Sequence, residues 1–269
     1  MTEAIRTRAS FSNAAGTRAY EVYAPPSRKP GPRPSIVMLH GCTQGPEDFA
    51  VGTRMNALAD LHDFVVVYPA QSPAANAMRC WNWFAAGDQE RDRGEPSLVA
   101  GIARQVAERH ALDRQRIYIA GFSAGAAMAV VLADAYGDLF AALGVHSGIP
   151  FAARPRAAAT HALPTIVFHG DADANVNVAQ GAEIVRQAAA REEIDGGALR
   201  VTTRRSRAAG GLDCTVTSYR RDASRPRIEF WLVHGAGHAW FGGSPAGSYT
   251  EARGPDASAE MVRFFGLSA

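Results

Sequence analysis

The sequence predicts an α/β fold: a mainly parallel central sheet with helices on both faces. Three observations carry this. Short apolar runs recur along the chain at Ser35–Leu39, Phe64–Tyr68, Arg116–Ala120, Ala141–His146, Pro164–His169 and Arg227–Val233, as buried strands do. Helical patterns lie between them, and strand–helix alternation implies crossover connections and parallel strands. The run at Arg116–Ala120 passes into Gly121-Phe122-Ser123-Ala124-Gly125 and then into the helical stretch Ala126–Ala133.

The elements follow in order. Arg18–Tyr23 alternates apolar and polar residues and reads as a half-buried antiparallel strand. Pro25 to Pro34 carries five prolines and reads as a surface loop leading into Ser35–Leu39. Met55–Leu61 reads as a helix, and Phe64–Tyr68 as a strand stopped by Pro69. Ala70–Pro96 reads as a long loop, a kind of segment that usually carries function. Leu98, Ile102 and Val106 recur at helical spacing and give a helix crossing back to the Arg116–Ala120 strand. Ser147–Leu163 is a connection without periodicity. Gln180–Arg191 reads as a helix. Cys214–Arg220 and Ile228–Val233 read as paired strands about a turn at Ala223–Arg225. Ala257–Phe265 reads as a closing helix that docks Met261, Val262, Phe264 and Phe265. No repeat, low-complexity tail or second domain is visible, so one domain over 1–269 is expected.

A serine on a sharp strand-to-helix turn has its hydroxyl pushed clear of the sheet, and flanking glycines relieve the crowding of the turn. Ser123 is therefore the candidate nucleophile of an acyl-serine mechanism. A serine hydroxyl needs a base, and the base needs an orienting acid. In this strand–turn–helix arrangement they follow in the order Ser, acid, His. The strand Pro164–His169 runs into Gly170-Asp171-Ala172-Asp173, which places an acid at its carboxyl end. Asp173 lies deeper in the turn, with Val176 able to fold over it, and is preferred to Asp171, whose alternative role is bonding its own turn backbone. The strand Arg227–Val233 leads into His234-Gly235-Ala236-Gly237-His238. His238 follows a flexible Gly-Ala-Gly run and is preferred as base over His234, which ends the strand. An oxyanion hole requires two preorganised N–H donors. Ala124, after the nucleophile, supplies one. The loop His40-Gly41-Cys42-Thr43-Gln44-Gly45 supplies the other, with Cys42 preferred and Thr43 second. His62 and His110 sit near helix ends, His161 in an Ala-rich loop, and His146 and His169 at strand ends near the site. No two histidines show metal-ligand spacing, so neither a metal nor another cofactor is expected.

A formal charge of +2 is nearly balanced and gives no case for nucleic-acid binding. Lys29 is the only lysine, which reads as a GC-rich bacterial codon bias. Arg204-Arg205-Ser206-Arg207 reads as a solvated loop or strand edge. No apolar stretch approaches the ~20 residues that span a bilayer, so no membrane association is expected. Met1–Ser10 lacks an apolar core, so no signal peptide is visible, which fits a cytoplasmic protein or one whose leader has been removed. The three cysteines are Cys42, Cys80 and Cys214. A Cys42–Cys80 bridge would pin the run Cys80-Trp81-Asn82-Trp83-Phe84 against the site, but pairing does not follow from sequence. Trp81, Trp83 and Trp240 lie in loops near the site, where they read equally as substrate-binding platforms or as core.

Together, Leu39–Gln44, Cys80–Phe84, the Gly121–Gly125 turn, His169–Asp173 and Gly235–Gly243 resemble the polyhydroxybutyrate (PHB) depolymerase family of serine esterases, relatives of feruloyl and acetylxylan esterases. The resemblance runs from about Ser10 to Phe265. It implies the α/β-hydrolase fold, Ser123, Asp173 and His238 as triad, Cys42 and Ala124 as oxyanion donors, and a tryptophan near the acyl pocket. It also implies an ester substrate, of hydroxyalkanoate oligomer or polymer type, with feruloyl or acetylxylan esters as the alternative. The chain departs from the secreted polymer-degrading members in showing neither a signal peptide nor a Thr- or Gly-rich linker with a polymer-adsorbing domain. This directs expectation to soluble esters, oligomers or amorphous polymer. Serine peptidase, acyltransferase and inactive binding module are the rival readings. A peptidase usually adds a gating domain, a transferase admits an alcohol in place of water, and a binding module would lack a triad member. The sequence does not specify an oligomeric state.

Overall fold

A computed structural model describes residues 4–151, 162–223 and 225–268. The strands are β1 (Ile5–Asn13), β2 (Gly16–Ala24), β3 (Ser35–Leu39), β4 (Val65–Pro69), β5 (Ile117–Phe122), β6 (Leu143–His146), β7 (Thr165–Gly170), β8 (Arg200–Arg207), β9 (Asp213–Arg220), β10 (Ile228–Val233), β11 (Trp240–Phe241) and β12 (Thr250–Glu251). The helices are α1 (Pro46–Thr53), α2 (Met55–His62), α3 (Gly94–Arg109), α4 (Ala124–Ala135), α5 (Val178–Gly196) and α6 (Ala257–Phe264).

One 10-stranded sheet runs in the order β1-β2-β4-β3-β5-β6-β7-β10-β9-β8. Its centre, β4-β3-β5-β6-β7-β10, is parallel throughout. Antiparallel hairpin strands extend it on both sides. The central strands are buried from end to end, as strands covered on both faces must be. Their side chains divide by alternation. Val37, Leu39, Val65, Ile119 and Val145 pack against α3, α4 and α5. Ile36, Met38, Val66, Ala120 and Phe168 pack against α1, α2 and α6. The carboxyl ends of β3, β5, β6, β7 and β10 therefore share one edge, where an α/β sheet places its chemistry.

Three elements differ from the sequence reading. Strand β1 occupies a segment that reads as polar, because an edge strand with exposed faces has no apolar alternation to reveal it. Helix α1 begins on Pro46, a favoured first helical residue, but its eight residues are too few for a clear period. Ala70–Pro96 is shorter as a loop than expected: a 3-10 turn covers Ala86–Asp88 and α3 already starts at Gly94. Strand β8 is the outermost strand, almost wholly exposed, and carries the Arg204–Arg207 cluster, in keeping with its reading as a solvated strand edge. His161, much of Ser147–Leu163 and part of the Ala223–Arg225 turn lie outside the described residues. Among the described residues, no helix is long and apolar enough to cross a membrane.

Candidate active site

Ser123 sits between β5 and α4 with φ 54° and ψ −122°, a left-handed conformation that costs a non-glycine residue free energy. The turn closes only because its neighbours lack side chains. A Cβ on Gly121 would lie 2.4 Å from the Gly125 carbonyl carbon, and one on Gly125 would lie 2.2 Å from the Leu39 carbonyl oxygen. The Ser123 N–H donates to the His146 carbonyl at 2.9 Å, which fixes the turn against β6.

Three side chains from three loops converge here. Ser123 Oγ lies 2.9 Å from His238 Nε2, and His238 Nδ1 lies 2.8 Å from Asp173 Oδ2. The carboxylate can only accept, so Nδ1 carries the proton and Nε2 accepts from the serine. The Asp173 side chain is fully buried and that of His238 only 8% exposed. Asp173 Oδ1 accepts the N–H groups of Asn175 and Val176 at 2.9 and 2.8 Å. Burial by itself would raise the Asp173 pKa, yet the Val176 N–H, His238 and the Asn175 N–H together hold it below the ordinary carboxylate value.

The paired choices that the sequence presents resolve into two parallel dyads. Asp171 Oδ2 bonds His234 Nδ1 at 2.8 Å, while Asp171 Oδ1 accepts the Gly235 N–H at 2.7 Å. His234 Nε2 bonds Thr215 Oγ1 at 2.9 Å. This outer dyad is exposed and holds the turn that leads to His238.

The loop after β3 faces the serine. A disulfide joins Cys42 to Cys80, with Cα atoms 4.2 Å apart. The Thr43 N–H donates to the Met78 carbonyl at 2.6 Å and is thereby committed, whereas no internal acceptor engages the Cys42 N–H among the described residues. Ala124 is the first residue of α4, so its N–H has no intrahelical acceptor. Gln44 shapes the loop by accepting the Gly41 N–H at 2.9 Å and donating to Asp48 at 2.9 Å. His40 donates from Nδ1 to the Gly41 carbonyl at 2.8 Å and accepts the Gln71 N–H at Nε2, 3.1 Å away. Burial holds its pKa down at about 4.

Two tryptophan expectations need correcting. Trp81 and Trp240 are 0% and 1% exposed and offer no face to a ligand. Trp81 donates its indole N–H to the His40 carbonyl at 3.1 Å, and Trp240 donates to Ser258 Oγ at 3.0 Å. They are packing residues because each indole finds an internal acceptor. Trp83 is half-buried and meets the exposed Phe84 edge-on at 5.9 Å. Cys214 is a buried free thiol, its pKa raised by burial. His62 and His110 stand at the ends of α2 and α3. His146 and His169 are buried beside Ser123, Asp173 and His238. His169 donates from Nε2 to the Val176 carbonyl at 2.9 Å and lies 3.5 Å from Asp173 Oδ2.

Sequence reasoning missed Glu95. This carboxylate accepts from Arg18 at 2.9 Å, from the Asn82 N–H at 2.7 Å and from Gln71, all in the interior. It ties the start of α3 to the segment holding Cys80 and Trp81. The available signal is an acid just before Pro96 at a helix start, which also reads as ordinary first-turn charge. Among the described residues, no group of three or more His, Cys, Asp or Glu is arranged to hold a metal ion.

A family model described as esterase PHB depolymerase matches residues 18–162. Poly(3-hydroxyalkanoate) depolymerase C of Paucimonas lemoignei is 38% identical over 126 residues, which are 47% of this chain and 30% of that one. Probable acetylxylan esterase A of Aspergillus fumigatus is 32% identical over 142 residues, 52% of this chain and 36% of that one. The matches thus span about a third of these relatives' own length. The acetyl xylan esterase from Aspergillus awamori superposes with a TM-score of 0.73 at 18% identity, covering 98% of this chain and 99% of that one. That likeness is one of fold, the α/β-hydrolase architecture.

Proposed function

The chain belongs to the esterase PHB depolymerase family, and on that premise we propose that it is a serine esterase using Ser123, His238 and Asp173. The observation that carries this reading is the unbroken series Asp173–His238–Ser123, bonded at 2.8 and 2.9 Å across three separate loops.

In the proposed reaction Ser123 Oγ attacks the ester carbonyl carbon as its proton passes to His238 Nε2. The carbonyl oxygen becomes an oxyanion held by the Cys42 and Ala124 N–H groups. Asp173 keeps the imidazole in the Nδ1–H tautomer and stabilises it when protonated. The C–O bond to the alcohol breaks, the alcohol takes the proton from His238, and acyl-Ser123 remains. Water then attacks the acyl carbon and gives a proton to His238. The Ser123–acyl bond breaks as that proton returns to Oγ, and the carboxylic acid leaves.

The substrate class we propose is short-chain hydroxyalkanoate esters, as oligomers or amorphous polymer, on the likeness to a poly(3-hydroxyalkanoate) depolymerase. The match to a probable acetylxylan esterase at 32% identity supports a second reading, acylated carbohydrate. Rates on 3-hydroxybutyrate oligomers, feruloyl esters and acetylated xylan separate the two. Oligomer turnover at least about tenfold above the others, by kcat/KM, is expected. The opposite ranking overturns the hydroxyalkanoate assignment. Ser123→Ala measured alongside must lose roughly 10³-fold or more on every ester.

A further inference from the structure

His146 ends β6 and is completely buried, and it takes no part in the proton path proposed above. Two of its acceptor atoms nonetheless bond the segments that carry that path. Its carbonyl accepts the Ser123 N–H at 2.9 Å. Its imidazole Nε2 meets the Phe241 N–H at 3.1 Å, three positions beyond His238. The ring stacks on Trp240 at 4.9 Å and 23°, and on Phe168 at 5.7 Å and 11°. A backbone N–H can only donate, so Nε2 must be the acceptor and Nδ1 must carry the proton, directed at Ser147 Oγ 3.3 Å away. Burial pushes the pKa of this imidazole far down, which keeps it neutral and able to accept.

From this geometry we infer that His146 is a positioning residue that latches the segment carrying His238 to the turn carrying Ser123. The ring occupies a slot between Trp240 and Phe168, and the Phe241 N–H fixes how far strand β11 stands from the nucleophile turn. The run Gly235-Ala236-Gly237 before His238 is tied to the end of β7, by the Gly235 N–H to Asp171 at 2.7 Å and the Ala172 N–H to the Ala236 carbonyl at 3.1 Å, and not to the turn that carries Ser123. The restraint toward the Ser123 turn comes from the residues after His238, and His146 is the acceptor that receives them. A displacement of about 1 Å at the base costs on the order of 100-fold in rate. The inference rests on Ser123 and His238 acting as nucleophile and base.

The test compares His146→Phe, which keeps an aromatic ring in the slot but removes the acceptor, with His146→Gln, whose Oε1 restores an acceptor near the Nε2 position. Hydrolysis of p-nitrophenyl butyrate is the assay. His146→Phe should lose about 10- to 100-fold in kcat with KM changed less than about threefold, and His146→Gln should recover most of kcat. A His146→Phe enzyme with kcat within about twofold of the parent, or equal losses in both variants, overturns the latch. Should His146→Phe fail to fold, 15N-histidine NMR of the unmodified protein decides. A neutral Nδ1–H tautomer at His146 is required, and an Nε2–H tautomer overturns the proposal. Ser123→Ala is assayed in parallel: a kcat within about tenfold of the parent refutes the nucleophile assignment and leaves the tautomer result standing as a separate answer.

Discussion

His238 Nε2 stands 2.9 Å from Ser123 Oγ although 115 residues separate them in the chain. No local interaction can hold such a pair. The parallel sheet does so by bringing the ends of β5, β7 and β10 to one edge, and Asp173 completes the line from the neighbouring strand end.

Removal of either partner should abolish turnover without unfolding the protein. For Ser123→Ala and His238→Ala the expected loss in kcat is roughly 10³-fold or more, with residual rate from the oxyanion donors alone. Asp173→Asn should lose a comparable factor because Asn can stabilise the wrong imidazole tautomer. Steady-state hydrolysis of p-nitrophenyl butyrate, with circular dichroism as the folding control, measures both. Fluorophosphonate labelling should occur in the parent and be absent in Ser123→Ala.

Acidification should destabilise the fold in two stages. Burial lowers the His40 pKa from 6.5 to about 4, so between those values the unfolded chain binds a proton that the folded protein refuses. Stability therefore falls as pH drops through this window, by up to about 3 kcal/mol. His146, displaced in the same direction by burial, adds to the loss. Asp173 acts lower: its folded pKa lies below the ordinary 3.8, so its contribution is present above that value and disappears as pH falls through the folded pKa. Urea unfolding from pH 7 to pH 3 reads both stages. His40→Gln should flatten the slope between pH 6.5 and 4, and an unchanged slope would remove His40 from the account.

The Cys42–Cys80 disulfide closes a loop of sequence separation 38 and stabilises the fold by roughly 4 kcal/mol in the chain-entropy picture. The double substitution Cys42→Ser/Cys80→Ser should lower the urea midpoint accordingly. A phosphine reductant should shift the parent protein and leave that variant unmoved. Activity should decline with the bond, since Cys42 also supplies a proposed oxyanion donor.

Glu95→Ala should cost about 3–5 kcal/mol, because it strands the buried Arg18 guanidinium 2.9 Å from an acceptor that no longer exists. Glu95→Gln should cost less, since its one amide oxygen still accepts from Arg18 at the Oε1 position, with only the acceptor for the Asn82 N–H lost. Equal losses in the two variants would show that charge, not hydrogen bonding, is what the site requires.

Much of this arrangement is legible in the sequence for a physical reason. Buried parallel strands are continuous apolar runs, and the residues that leave them at the carboxyl end must lie on one edge. The positions of Ser123, Asp173 and His238 follow from that rule and from the Gly121 and Gly125 constraint. Polar support is harder to read. Glu95 meets Arg18 and Gln71 only after folding, and nothing in its local sequence separates it from a solvated helix-start acid. Trp81 and Trp240 mislead for a related reason: a tryptophan in a loop reads as available until its indole finds the His40 carbonyl or Ser258. Strand β1 escapes notice because its faces remain wet.

Strand β8 has a consequence for how copies of this chain meet one another. It is the last strand of the sheet, and Arg200, Arg204, Arg205 and Arg207 lie along it. An unprotected rim of this kind is a template for lateral growth into fibrils. Two such rims approaching each other would bring rows of guanidinium groups together. Guanidinium keeps its charge at every pH at which the fold persists. The barrier to end-on stacking is therefore one that acid cannot switch off, and only high salt weakens it.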